Sequence, residues 1–261
     1  MANHPSKKPI RNPIRRNPDG PRRAAHRTDP FDGILLVDKP AGMTSHDVVA
    51  RLRYHFRLRK VGHGGTLDPM ATGLLIILLG RGTKLSQRIM GTDKEYEGTM
   101  RLGARTDTQD ADGTVLQERD FAHVTRDQLQ AEFEKRRGDQ MQTPPMVSAI
   151  KRNGVPLYKL ARKGQEVERE ARLIHVYRFD LLDFSPPDAR FILKCTKGTY
   201  VRTLCDDIGE ALGCGAHLAG LRRTAIGNLH VDHAQSLDRL LEGSVEELGE
   251  RVVPVFAFAP E

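Results

Sequence analysis

The sequence predicts an α+β fold, a mixed and mainly antiparallel sheet flanked by helices and loops. Three observations carry that expectation. Apolar runs of strand length occur at Gly33-Ile34-Leu35-Leu36-Val37 and at Leu74–Leu79. A strict alternation places Tyr96, Gly98, Met100 and Leu102 on one face and Glu95, Glu97, Thr99 and Arg101 on the other, as a half-buried strand requires. Helical periodicities lie between such segments at hairpin-like spacing, with no internal repeat.

Order is expected to begin near Phe31. The first strand closes in the turn Asp38-Lys39-Pro40-Ala41-Gly42. Thr44 and Asp47 then fit the start of a helix, and Val48, Val49, Leu52 and Phe56 follow on one face. The Arg51–Lys60 stretch adds cations that lead into a glycine-rich loop at Gly62–Gly73. After the alternating strand, Asp107–Gly113 resembles a calcium loop but fails as one. Aligned on Asp110, Asp112 and Gly113, it has Thr108 at the first position and Arg119 where the terminal Glu belongs. A turn held by Asx hydrogen bonds is the better account. Residues 125–137 predict a helix with Leu129 and Phe133 inward. Strands follow at Leu173–Phe179 and Phe191–Thr196, then a helix buries Val201, Leu204, Ile208 and Leu212.

Charge and composition divide the chain of 261 residues. Of the net charge of +7, residues 1–30 contribute +6, from eight Lys or Arg against two Asp, and they also hold six prolines. Such a segment buries too little apolar surface to offset its ordering entropy, so it reads as a disordered basic arm suited to nucleic-acid phosphate. Residues 31–240 form the expected folded domain. Within it, about 143–172 is a basic insertion with Lys151, Arg152, Lys159, Arg162, Lys163, Arg169 and Arg172 around Tyr158 and Leu160, expected to be mobile and to contact RNA. Residues 241–261 read as a short tail whose apolar material is Val252, Val253, Val255 and Phe256. No run approaches the roughly 18 apolar residues of a membrane span, and no leader segment is recognisable. The three cysteines, Cys195, Cys205 and Cys214, are odd in number and form no CxxC pair, which predicts a reduced cytoplasmic protein without a zinc site.

The Gly62–Gly73 loop concentrates glycine, His63, Asp68 and Pro69 between a basic helix and an apolar strand. Glycines allow close backbone approach to a ligand. The loop is no P-loop, because no GKS or GKT follows, and no dinucleotide fingerprint, because the preceding strand and the GxGxxG spacing are both missing. Read alone, Asp68 is as well explained as a turn or capping residue.

The blocks together resemble the bacterial tRNA pseudouridine-55 synthases, the TruB family. Gly62-His63-x-Gly65-Thr66-Leu67-Asp68-Pro69-x-Ala71-Thr72-Gly73-Leu74-Leu75 is similar to its signature. Lys39-Pro40-x-Gly42-Met43-Thr44-Ser45 is similar to its opening motif, and Lys94-Glu95-Tyr96 to its aromatic strand. Leu102-Gly103 with Thr106-Asp107-Thr108-x-Asp110-x-x-Gly113 is similar to the segment that follows. Lys197-Gly198-Thr199-Tyr200-Val201-Arg202-Thr203, Asp206-Asp207-x-Gly209 and Gly213-Cys214-Gly215-Ala216-His217-Leu218-x-x-Leu221-Arg222-Arg223 complete the order.

The resemblance implies the pseudouridine synthase fold, a tRNA T-arm substrate, and isomerisation of its uridine 55 by base flipping. It implies that Asp68 is the attacking carboxylate, Arg202 its ion-pair partner and Tyr96 the ring that stacks on the flipped uracil. It further implies that His63 fills the space vacated in the RNA, that Tyr200 and Leu221 line the pocket, and that Lys39 and Pro40 brace the Asp68 loop. An isomerisation needs no metal or organic cofactor, and a monomer without an obligatory protein partner is expected. Two departures stand out. The family usually carries threonine at the position of Gly64, so glycine is expected to loosen the loop. The tail is expected to be too short for a complete C-terminal module of the PUA type. Two alternatives stay open: a guide-RNA-dependent pseudouridine synthase subunit, and an RNA-binding or tRNA-folding protein without catalysis.

Overall fold

A computed structural model describes residues 31–255, apart from 149, 153, 162 and the side chain of Lys151. The basic arm expected over residues 1–30 lies outside the described residues, as do Arg162 and Phe256. In chain order the strands are β1 (Gly33–Lys39), β2 (Val61–His63), β3 (Thr72–Leu79), β4 (Lys94–Leu102), β5 (Ala104–Thr106), β6 (Val115–Glu118), β7 (Gly138–Gln142), β8 (Lys151–Arg152), β9 (Val155–Pro156), β10 (Arg172–Ser185), β11 (Asp188–Cys195), β12 (Ala216–Ile226), β13 (Leu229–His230), β14 (Gln235–Ser236) and β15 (Val253–Pro254). The helices are α1 (Ser45–His55), α2 (Ser86–Gly91), α3 (Arg126–Lys135), α4 (Leu157–Ala161), α5 (Val201–Ala211), α6 (Leu237–Glu242) and α7 (Val245–Arg251).

One large sheet runs β14-β1-β3-β12-β4-β11-β10-β7. Only β1 with β14 and β3 with β12 pair in parallel along this path, so the sheet is mixed and mainly antiparallel. Strand β3 explains itself from its composition. Leu75, Ile77 and Leu79 enter the main core and Leu74, Ile76 and Leu78 a second cluster on the opposite face, as expected of an unbroken apolar run covered on both sides. The alternation of β4 survives into the fold, with Lys94, Tyr96, Gly98, Met100 and Leu102 buried. Thr44 caps α1 through a capping box with Asp47, the Thr44 backbone N–H donating to Asp47 Oδ2 at 2.8 Å.

Several boundaries differ from the sequence expectation. Strands β10 and β11 run well past Phe179 and begin before Phe191. Charged residues interrupt the apolar pattern there, yet they lie on the open face while Leu181 and Ala189 stay buried. A three-residue strand, β2, does lead into the glycine-rich loop, but the loop runs on into strand β3 rather than a helix, and this with the missing GxGxxG spacing excludes a dinucleotide site. It is too short for its apolar content to register. The tail also holds more apolar material than expected, because Leu241, Val245 and Leu248 belong to it, and Leu248 is buried in the main core. Leu248 in α7 anchors that segment together with Val252, packed on the main core, and Val253, paired with Ile34 of β1.

Candidate active site

Asp68 lies in the loop between β2 and β3, and the peptides around it are held from three directions. Arg223 reaches from β12, donating from Nη2 to Gly65 O at 3.1 Å and from Nη1 to Thr66 O at 3.2 Å. Ser45, the first residue of α1, accepts the Leu67 N–H at 2.9 Å. Lys39 Nζ donates to Pro69 O at 3.2 Å, and also to Pro40 O and Met43 O. Lys39 is wholly buried, and burial pushes its ammonium down to about 8, the neighbouring Asp68 opposing that fall. Its donors all end on carbonyls, so its geometry is that of a brace.

The Asp68 side chain is 39% exposed, at the mouth of this cradle. Its Oδ2 lies 3.1 Å from Arg202 Nε, and Arg202 Nη1 lies 3.3 Å from Asp110 Oδ2. Arg202, on the first turn of α5, is only 3% exposed. It also donates to Thr108 O and Val147 O, each at 2.9 Å, so it ties the Asp68 loop to the Asp107–Gly113 turn and the base of the insertion. Burial pushes the Asp68 carboxyl up from its ordinary range; Arg202 pulls it back, Asp110 adds to the rise, and Lys39 opposes it.

Tyr96 reaches the same cluster from β4. It is cross-strand partner to Arg223. Burial pushes its hydroxyl up to about 12, a rise that the Arg223 guanidinium partly offsets, so the ring is a neutral phenol at physiological pH. His63 lies at the loop's edge, its Nδ1 accepting the Gly65 N–H at 3.4 Å, with the His46 ring edge-on at 5.3 Å. Tyr200 stands just before α5, its peptide clamped by the Gln142 amide, which accepts the Tyr200 N–H at 2.8 Å and donates to its O at 3.1 Å. Leu221 lines a groove of about 340 Å³ with Met70 and Thr72 of the Asp68 loop and with Glu97, Arg190 and Arg222. Among the described residues, no group of three His, Cys, Asp or Glu is placed to hold a metal ion.

Sequence reasoning passed over three residues of this cluster. Asp110 was read only as part of a turn. It does serve that turn, its Oδ1 accepting from Thr108 Oγ1 at 2.6 Å and from the Asp112 N–H at 3.2 Å, while its other oxygen faces Arg202. Arg222 and Arg223 are adjacent, yet Arg222 pairs with Asp38 at 2.6 Å and is half-exposed, whereas Arg223 is buried. Strand alternation is the signal that separates them, once one face is known. Ser45 entered only as the last residue of the opening motif. The expectation for Gly64 is corrected: its N–H donates to Ile76 O at 2.8 Å, and the Ile89 side chain of α2 occupies the place of a Cβ. Glycine there admits a neighbour rather than loosening the loop.

Comparison with known proteins agrees with this geometry. Residues 53–201 match the TruB family pseudouridylate synthase N-terminal domain, and residues 202–255 the tRNA pseudouridylate synthase B C-terminal domain. The chain is 55% identical over 230 residues to tRNA pseudouridine synthase B of Opitutus terrae, covering 88% of this chain and 95% of that protein. It is 50% identical to tRNA pseudouridine synthase B of Burkholderia pseudomallei, over 87% of this chain and 75% of the relative. Among solved structures, the Cbf5-Nop10-Gar1 complex aligns with a TM-score of 0.67 at 30% identity. That alignment covers 85% of this chain, which spans 60% of the matched chain's length. The chain belongs to the TruB family of pseudouridylate synthases.

Proposed function

We propose that this protein isomerises uridine 55 in the T-loop of tRNA to pseudouridine, with Asp68 as the attacking carboxylate. The observation that carries the reading is the Asp68–Arg202 pair, an ionisable carboxylate held at the mouth of a braced loop in a family of pseudouridylate synthases. In the overall reaction the N1–C1′ bond breaks, the uracil turns, and a C5–C1′ bond forms. C5 gives up its proton and N1 gains one, so no redox partner is needed. A carboxylate suits the step because it can capture or stabilise the electron-poor sugar. The target base must leave its stack, and the neutral Tyr96 ring offers a stacking surface at the carboxylate. His63, planar and at the loop's edge, suits the space the base vacates. The insertion supplies cations for the RNA backbone. Tyr200 and Leu221 are assigned to the pocket wall and Lys39 to support.

The enzyme works in this reading as a cytoplasmic monomer, on the T-arm, without guide RNA or protein partner. Identity of 50–55% to proteins named tRNA pseudouridine synthase B favours this over the guide-dependent reading, for which the Cbf5-Nop10-Gar1 structure offers 30% identity. The test is to incubate the protein alone with an unmodified tRNA transcript and map pseudouridine. Product at one T-loop uridine, abolished in Asp68→Asn, is expected. Product only with added guide RNA, or binding without product, overturns the reading.

A further inference from the structure

Arg223 does more than hold two carbonyls. Its Nε donates to Leu74 O at 2.8 Å, on the far side of the loop from Gly65 and Thr66. Its backbone lies directly opposite Gly73 in the parallel β3–β12 register. Gly73 adopts φ +98, and a Cβ there would run into the Arg223 carbonyl. Both ends of the Gly65–Leu74 loop therefore close on one residue. On its other side β12 pairs with β4, where Arg223 faces Tyr96 across the strands, close enough for the phenol and the guanidinium to shift each other's ionisation.

The guanidinium is 1% exposed, and among the described residues no carboxylate forms an ion pair with it. A buried charge satisfied by main-chain carbonyls is a costly arrangement for mere cohesion. An apolar side chain would fill a core position of β12 without that cost. What a planar fork of five donors adds is geometry: it fixes several acceptors at once in one plane.

We infer that Arg223 is a positioning residue for the reaction, setting the Tyr96 ring and the Asp68 carboxylate at one fixed separation by closing the loop at both ends opposite Tyr96 in the strand register. The inference rests on the catalytic reading above. It assigns Arg223 no contact with substrate. Its effect reaches the chemistry through the loop and the ring, and so falls on turnover rather than on RNA capture.

The test is a double-variant cycle of Arg223→Lys and Tyr96→Phe, with Arg223→Gln as a harsher single change. Single-turnover conversion of an unmodified tRNA transcript, RNA affinity and thermal melting are measured for each. A misplacement of about 1 Å is worth about 100-fold in rate, so Arg223→Gln is expected to lose turnover on that order while affinity holds within about twofold. Lysine keeps the charge but not the fork, and is expected to restore only part of the rate. The Arg223→Lys loss is expected to shrink markedly once Tyr96→Phe has removed the phenol, because the two act as a unit. Losses that multiply independently in the double variant overturn the inference, as does an effect confined to affinity. So does failure of both Arg223 variants to fold, which would make the residue structural. Wild-type protein that makes no pseudouridine fails the catalytic reading instead, and the two failures are therefore distinct.

Discussion

The Asp68 loop and the insertion at about 143–172 are both irregular, glycine-containing connections in the same chain, but they are built in opposite ways. Around Asp68, the carbonyls of Gly65, Thr66 and Pro69 are all occupied by buried cations, and the Leu67 N–H by Ser45. In the insertion, the buried residues among those described are Pro144, Pro145 and Ser148 at its base and Leu157 beyond them. Its order comes from a two-residue hairpin, β8 with β9, the five-residue helix α4, and backbone bonds such as Tyr158 N to Ser148 O at 3.1 Å. The difference matches the tasks proposed for them. A reacting carboxylate must be held to a fraction of an ångström, whereas a segment that grips RNA needs reachable charge and freedom to adapt. The two meet at Arg202, which touches Asp68 through Nε and the base of the insertion at Val147 through Nη2.

The largest effect that tests this contrast is at the carboxylate itself. Asp68→Asn is expected to reduce pseudouridine formation by about a thousandfold or more. The same change carries a stability signature. The Asp68 carboxyl binds its proton more tightly in the fold than in the unfolded chain. Its ionised form therefore costs stability above the native pKa, and that cost disappears as pH falls through it. Asp68→Asn is expected to melt higher than wild type at neutral pH and level with it in acid. Equal melting at both pH values would contradict the burial argument.

Next in size is Arg202→Met, which leaves Asp110 buried without its partner and is expected to cost about 3–5 kcal/mol in denaturant unfolding. Because Arg202 lowers the Asp68 pKa, residual activity should lose its acid limb at higher pH than in wild type. An acid limb that stays in place would mean that Arg202 does not govern that ionisation.

A smaller effect probes the wall of the braced loop. Gly64→Thr meets the Ile89 side chain and is expected to cost about 1–3 kcal/mol, with part of it recovered when Ile89 is also truncated to alanine. An unchanged melting temperature in the single variant would show that α2 yields freely. The smallest structural effect belongs to the insertion. Lys159→Glu with Lys163→Glu is expected to leave stability within about 0.5 kcal/mol. It should weaken tRNA binding and flatten the logarithmic salt dependence by roughly 1.5 to 2. A large loss of stability there would erase the contrast with the Asp68 loop.

Much of the architecture was legible locally. The Leu74–Leu79 run read as a strand, the alternation around Tyr96 gave the buried face correctly, and Thr44 with Asp47 marked the start of α1. Such patterns are visible because period and capping act over a few residues. The ends of β10 and the three residues of β2 were not, since pairing with neighbours decides them and polar residues are tolerated on an open face.

At the site, the sequence by itself determined which loop to examine, through its glycines and the order of its motifs. It also placed Asp68, Tyr96 and Arg202 in separate matching blocks. Only the tertiary structure decided what holds them. Ser45 meets Leu67 across 22 positions, Arg202 meets Val147 across 55, and Arg223 meets Gly65 across 158. A buried cation has no periodicity of its own, and Arg222 and Arg223 become different residues only when strand β12 is laid between β3 and β4. Long-range carbonyl capture depends on where the chain returns, and that is set by the packing of the whole sheet.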